Sequence, residues 1–362
     1  MTKKRPNPIT VGNRKVGDGQ TTYVILEAGS NWLDLGHADD LDYGLEQAKQ
    51  MIQVAKEVGA DAVKFQIFRA KDHISSKAVT PPYLKKTTAK SLYDIIHDLE
   101  LPRQWIKELD TYAHKCKIDF LTSPCDREAV EQLLRETHPP AFKVASYDIV
   151  DLDFLNFLAK TKKPLILSTG MATEEEILEA LESIAKAGND QDCLFHCISS
   201  YPAPLDQLYL RTIQALKRLT NVPIGFSDHT LETWTPSIAV AAGACAIEKH
   251  FTLDRKQKGP DHVFALMPEE AREMTDRIRA TEKILGNEPR FGMKDCERQF
   301  YETSRRCLVI GSSGICAGEH FKKTHFVVKR GNGILPRDLD QIIGKVAKRD
   351  FTADDTLRWG DL

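Results

Sequence analysis

From Tyr23 to about Leu285, short runs rich in Val, Ile, Leu and Phe alternate with longer stretches whose apolar residues recur every three or four positions. The short runs predict strands at Tyr23–Leu26, Ala62–Phe65, Phe120–Ser123, Phe142–Ala145, Leu165–Ser168, Leu194–Cys197, Pro223–Phe226 and Ala246–Glu248. The longer stretches predict helices over Leu41–Val58, Arg103–Lys115, Arg127–Glu136, Glu174–Ala187, Asp206–Leu219 and Pro268–Ile284. In the first of these Leu45, Ala48, Ile52 and Ala55 form the stripe of a helix packed on a sheet. Eight strands, each followed by a helix-length segment, give an α/β chain built as a (β/α)8 TIM barrel. An open doubly wound sheet needs fewer units and a glycine-rich first turn, which Glu27-Ala28-Gly29-Ser30 does not match.

The flanks read differently. Ile9–Val16 places a Gly12-Asn13 turn between β-formers, a hairpin that would close the barrel floor, so residues 1–285 form the barrel domain. Gly286-Asn287-Glu288-Pro289 breaks the last helix, and residues 286–304 read as a linker. Residues 305–362 carry short strands and glycine-rich turns, a small α+β domain too short to be stable without leaning on something larger.

Two predicted strands carry a lysine in mid-run, Ala62-Val63-Lys64-Phe65-Gln66 and Ala141-Phe142-Lys143-Val144-Ala145. An unpaired ammonium in such a place costs several kcal/mol, so the pair calls for a shared anion. Strand alternation turns Val63, Phe65, Phe142 and Val144 toward the helices and leaves Lys64, Gln66 and Lys143 on the axis, with Ser146 at the mouth. By the same parity Glu248 and His250 share one side, as do Ser227 and His229, while Glu27 and Ser168 close their strands. All lie at strand carboxyl ends, where barrels keep their chemistry. Lys64, Lys143, Ser146, Ser168 and Ser227 make a donor-rich lining suited to a phosphate and a carboxylate. His229 and His250 could share a divalent cation, with Glu248 near enough to help. Plainer roles stay open: a structural ion pair for either lysine, a core hydrogen bond for either histidine, a cap or lysine pair for Glu27, and helix caps for the serines.

Composition adds limits. The 362 residues are 41% hydrophobic and 28% charged with a net charge of −2, which points away from nucleic acid and anionic membranes. Lys3-Lys4-Arg5 is a short solvated tail, and no apolar run reaches membrane-spanning length, so a cytoplasmic protein is expected. Eight cysteines without a Cys-x-x-Cys pair read as free thiols. Cys193, His196 and Cys197 look like a metal motif but alternate along a strand, which separates them.

At these residues the chain resembles the sialic acid synthases. The resemblance rests on Lys64-Phe65-Gln66, Phe142–Ser146, Ser168-Thr169-Gly170-Met171, Gly225–Thr230, Glu248–Thr252 and Gly259-Pro260-Asp261-His262 in order. The tail resembles the family's antifreeze-like SAF domain through Ile315–Glu319, Lys329–Ile334 and Ile343-Gly344-Lys345. The resemblance implies condensation of phosphoenolpyruvate with an N-acylated amino sugar, giving a nine-carbon 2-keto acid and phosphate. It implies that Lys64, Lys143, Ser146, Ser168 and Ser227 hold phosphoenolpyruvate, that Tyr201 stands at its phosphate end, and that His229 and His250 bind Mn²⁺ or Mg²⁺. Glu27 and Asp261 match sugar-contacting positions, and Asn31 lies beside the same pocket. Arg330 matches an arginine delivered into the partner's barrel, implying a domain-swapped homodimer. Glu27 or Glu248 would stabilise charge or take a proton from water. Three departures stand out: Trp32 where the family has histidine, Ser199 where asparagine is frequent, and no proline after Arg330. Trp32 is thereby expected to reshape the sugar pocket, so that a legionaminic or pseudaminic acid precursor is an alternative acceptor.

Overall fold

The computed structural model describes residues 6–37, 39–80, 90–286 and 288–362, in two compact units, Met1–Asn287 and Glu288–Leu362. Lys3-Lys4-Arg5 and Asn287 lie outside the described residues. The larger unit is a closed parallel barrel of eight strands. They are β3 (Tyr23–Gly29), β4 (Ala62–Ile67), β5 (Asp119–Pro124), β6 (Phe142–Val144), β7 (Leu165–Ser168), β8 (Asp192–Cys197), β9 (Ile224–Asp228) and β10 (Ala246–His250). β10 closes on β3 with His250 opposite Glu27. All eight predicted strands are present. β10 runs through His250 and β3 through Gly29 because the polar residues at these strand ends stay in the ladder even though they break the apolar pattern.

Alternation divides the barrel as read from the sequence. Val24, Leu26, Val63, Phe65, Phe120, Phe142, Val144, Leu167, Phe226 and Ile247 form one cluster with the helices. Burying each large side chain contributes roughly 1.5–3 kcal/mol. Inside, Tyr23, Ile25, Ala62, Leu121, Ala141, Ile166, Cys193, Phe195 and Ala246 fill the lower barrel. Ile9, Val11 and Val16 of the hairpin β1 (Ile9–Val11) and β2 (Arg14–Val16) complete that cluster from below. Gly12 turns the hairpin at φ +55°. The hairpin is pinned by Arg14 to Asp61 at 2.6 Å.

Two predicted helices differ. Within Asp206–Leu219 the α-helix is Arg211–Leu219, preceded by a 3₁₀ turn at Leu205–Gln207. Tyr209 at φ 44° separates them, a break that apolar spacing does not encode. Pro102 leads into a 3₁₀ turn at Arg103–Trp105 before the helix Ile106–Cys116. The expected linker is not featureless, because it contains the helix Arg298–Ser304.

The smaller unit pairs β11 (Arg306–Ile310) antiparallel with β12 (Phe326–Arg330). Leu308, Ile310, Ile315, Phe321, Ile334, Ile342, Phe351 and Leu357 form its core.

Candidate active site

The upper barrel holds four buried charges. Lys64 Nζ lies 2.6 Å from Glu27 Oε2 and 3.7 Å from Glu248 Oε2, and donates to Ser123 Oγ at 3.0 Å. Lys143 Nζ donates to Ser168 Oγ at 2.6 Å and to the Val144 carbonyl at 3.0 Å, and is 3.9 Å from Glu248 Oε1. Ser227 Oγ donates to Glu248 Oε1 at 2.8 Å, and Gln66 Nε2 donates to Glu27 Oε1 at 2.8 Å. Glu248 is therefore the anion between the two lysines. Its charge also acts on His229 and His250, so it lies near the two histidines as well as the lysines.

The two carboxylates are driven apart electrostatically. Burial alone would raise both. For Glu248 the ammonium groups of Lys143 and Lys64, with the Ser227 hydroxyl, outweigh burial and bring the pKa down to about 2. For Glu27 burial and the nearby Glu248 charge outweigh Lys64 and Gln66, and the pKa is raised. The lysines diverge as well. Burial lowers Lys143, with Lys64 adding to it, whereas Glu248 and Glu27 overcome burial at Lys64 and raise it.

Above this layer stand the histidines. His229 and His250 have ring centroids 5.8 Å apart, and Tyr201 lies 4.3 Å from His229 and 6.1 Å from His250. His229 Nδ1 bonds the Ile198 carbonyl at 2.7 Å, so Nδ1 carries the proton and Nε2 keeps its lone pair. His250 Nδ1 is buried without a hydrogen-bond partner. Burial lowers both pKa values, His250 to about 4, leaving two neutral imidazoles. This donor set fits a divalent cation, the remaining positions falling to water and substrate.

Other predicted residues fall into place unevenly. Ser146 and Ser199 share a hydrogen bond of 3.0 Å. A Cβ on Gly170 would stand 2.3 Å from Ser199 Oγ, so only glycine lets the Ser168-Thr169-Gly170 turn close on this cluster. Asp261 accepts from Ser30 Oγ at 3.0 Å, and Gly29, at φ +52°, leaves room where a Cβ would stand 3.3–3.4 Å from Glu27, Asp261 and His250. Asn31 is fully buried, and its Nδ2 is spent on the Phe251 carbonyl at 2.9 Å, so it braces the loop after β10. Trp32 lies in the core. It is 3% exposed and meets Trp105 edge to face at 5.4 Å, within the layer between barrel and helices. Its indole fills core volume against Trp105. Arg330 stands on β12 of the second unit, opposite Arg306. Cys193 faces the barrel interior, while His196 Nε2 bonds the Leu208 carbonyl at 2.7 Å, so these residues form no metal motif.

Sequence reasoning missed a second buried ion pair. Lys249, 1% exposed, lies 2.7 Å from Asp228 Oδ2 and donates to the Thr230 carbonyl at 2.7 Å. Thr235 Oγ1 donates to Asp228 Oδ2 at 2.5 Å. Lys249 and Asp228 are register partners on β10 and β9, immediately before His250 and His229. The signal was available, since Lys249 interrupts an apolar strand as Lys64 does.

Comparison with known proteins identifies the family. The NeuB family model matches residues 51–290 and the SAF domain model residues 312–362. The N,N'-diacetyllegionaminic acid synthase of Campylobacter jejuni is 40% identical, over 93% of this chain and 99% of its own. The N-acetylneuraminate-9-phosphate synthase of Mus musculus is 33% identical, over 95% of this chain and 93% of its own. The crystal structure of the sialic acid synthetase of Leptospira borgpetersenii superposes with a TM-score of 0.72 at 29% identity, covering 83% of this chain and 96% of that one. The chain belongs to the NeuB family of sialic-acid-type synthases, with a carboxyl-terminal SAF domain.

Proposed function

We propose that the chain condenses phosphoenolpyruvate with an N-acylated amino sugar to a nine-carbon 2-keto acid and inorganic phosphate. The observation that carries this reading is the layered site, two buried lysines flanking Glu248 with two neutral imidazoles above them. Lys64 and Lys143, with Ser146, Ser168, Ser199 and Ser227, would bind the carboxylate and phosphate of the enol phosphate. A divalent cation, Mn²⁺ or Mg²⁺, held by His229 and His250 would supply Lewis-acid polarisation of the sugar aldehyde. C3 of the enol phosphate then bonds to the aldehyde carbon, leaving an oxocarbenium-like centre at C2. Glu248, an anion throughout, stabilises that centre. Glu27, whose raised pKa suits proton transfer, takes the proton of the water that adds at C2. The C2 hydroxyl forms the ketone as the C2–O bond to phosphate breaks, its proton leaving with the phosphate, and the alkoxide formed from the aldehyde oxygen takes the proton held by Glu27. Asp261 borders the acceptor, and Tyr201 stands at the phosphate end of phosphoenolpyruvate. Arg330 is read as a residue supplied to the partner's barrel in a domain-swapped homodimer.

The acceptor is N-acetylmannosamine or a relative, and precursors of legionaminic and pseudaminic acid belong to the same chemical class. A competing reading follows from Lys143, whose lowered pKa suits a Schiff-base amine. Borohydride trapping with pyruvate separates the two: irreversible labelling of Lys143 supports an aldolase, and none supports the metal-dependent condensation. Calorimetry of phosphoenolpyruvate binding tests the anion site directly. Lys64→Ala and Lys143→Ala are each expected to weaken binding by at least about tenfold, the loss of one charge-assisted contact. Unchanged affinity in both would contradict the assignment.

A further inference from the structure

Two groups of aromatic rings lie at the carboxyl ends of the barrel strands. In one, Tyr201 lies 5.3 Å from Phe264 and 4.3 Å from His229 between centroids. In the other, Phe68, just after β4, stacks on His73 at 5.4 Å and 18°, and His73 meets Tyr147, in the loop after β6, at 5.4 Å. Phe68 is buried and Tyr147 is 50% exposed, so the second series runs outward from the core to the surface. Tyr147 directly follows Ser146 of the hydroxyl cluster.

The Tyr147 hydroxyl is turned inward. Burial, with Cys125, Asp148 and Tyr201 nearby, holds its pKa well above the ordinary value. Burial also raises the Cys125 thiol, so neither group is a nucleophile at neutral pH. Burial lowers the pKa of His73, which is therefore a neutral ring and adds apolar surface without a cation. Half-exposed, backed by His73 and directly after Ser146, Tyr147 offers an aromatic ring beside the layer of charges and hydroxyls. Such a ring selects a small apolar group on an otherwise hydroxylated ligand.

The geometry points to Tyr147, backed by His73 and Phe68, as the platform that receives the acyl group of the acceptor's N-acylamino substituent. The inference rests on the synthase reading. Lys64, Lys143 and the serines take the anionic substrate at the floor, and the Tyr147 face is left for the acceptor. The platform would separate acylamino sugars from plain sugars and set the acyl length accepted.

The test measures KM for the acceptor and for phosphoenolpyruvate in wild type, Tyr147→Phe, Tyr147→Ala and His73→Ala. The acceptors are N-acetyl, N-propanoyl and N-butanoyl hexosamines and the parent hexose. Tyr147→Ala is expected to raise acceptor KM, and to lower the preference for the acylamino sugar over the hexose, by about tenfold, the lower end of what one apolar contact discriminates. Phosphoenolpyruvate KM stays within about twofold, and Tyr147→Phe keeps the wild-type preference. His73→Ala, which removes only the backing ring, shifts the preferred acyl length and stands as the test should Tyr147→Ala fail to fold. An unchanged preference in both alanine variants, or an equal rise in KM for both substrates, overturns the platform while leaving the synthase reading intact. Phosphoenolpyruvate binding without phosphate release from any acceptor in wild type would instead overturn the synthase reading, and the platform with it.

Discussion

Glu27 and Glu248 occupy neighbouring places in one buried layer, yet their surroundings shift their pKa values in opposite directions. Glu248 faces two ammonium groups and a hydroxyl and stays ionised, while Glu27 is destabilised as an anion by burial and by Glu248 itself. A base must be unprotonated, so activity should fall as pH drops through the raised pKa of Glu27. Glu27→Gln is expected to lose that acid limb and about 10²–10⁴ in kcat, the usual contribution of a positioned base. Full turnover in Glu27→Gln removes Glu27 from the mechanism. The linkage at Glu248 has the opposite sign. Its folded pKa of about 2 lies below the ordinary 4.5, so its stabilisation is complete above 4.5 and lost as pH falls toward about 2. Glu248→Gln would leave two buried lysines facing one another without their shared anion. Thermal unfolding should show a loss of about 3–5 kcal/mol, that of breaking a buried pair. This layer was legible in the sequence because strand parity is strictly local: one lysine in each of two apolar strands fixes which way both point.

At the scale of elements, β9 and β10 are locked by a contact that points away from the site. Lys249 and Asp228 are register partners, so their ion pair holds the strand ends from which His229 and His250 project. Lys249→Met should destabilise by about 3–5 kcal/mol because it strands Asp228 in the core. Breaking the exposed Lys186–Glu182 pair should cost no more than about 0.5 kcal/mol. Chemical denaturation of both variants checks the contrast, and equal effects would contradict it. The barrel was readable because eight short apolar runs and their intervening helical stripes each carry their own period. Interruptions were not readable. Tyr209 breaks a helix through a backbone conformation, and the packing of Trp32 near Gly44 and Trp105 joins segments far apart in sequence. Contacts between loops, such as His73 with Tyr147, depend on closure of the barrel and leave no local trace.

At the scale of the molecule, the chain joins a barrel to a small unit that carries Arg330 on a short sheet. If that arginine serves a partner's barrel, Arg330→Ala and Lys143→Ala proteins, each inactive, should regain activity when mixed dimers form. The expected recovery is about one quarter of wild type, from the half of dimers that are mixed, each with one complete site. No recovery, with dimer exchange verified by mass, would contradict the swap. The sequence identified the family but not the acceptor.

The most direct measurement is phosphate release from phosphoenolpyruvate with Mn²⁺ and a panel of N-acylated hexosamines, including N-acetylmannosamine and its 6-phosphate, with the keto acid identified by mass. The account predicts release with at least one acylamino sugar, matched by one nine-carbon keto acid per phosphate and abolished by EDTA. Release that ignores the sugar, or proceeds undiminished in EDTA, would contradict it.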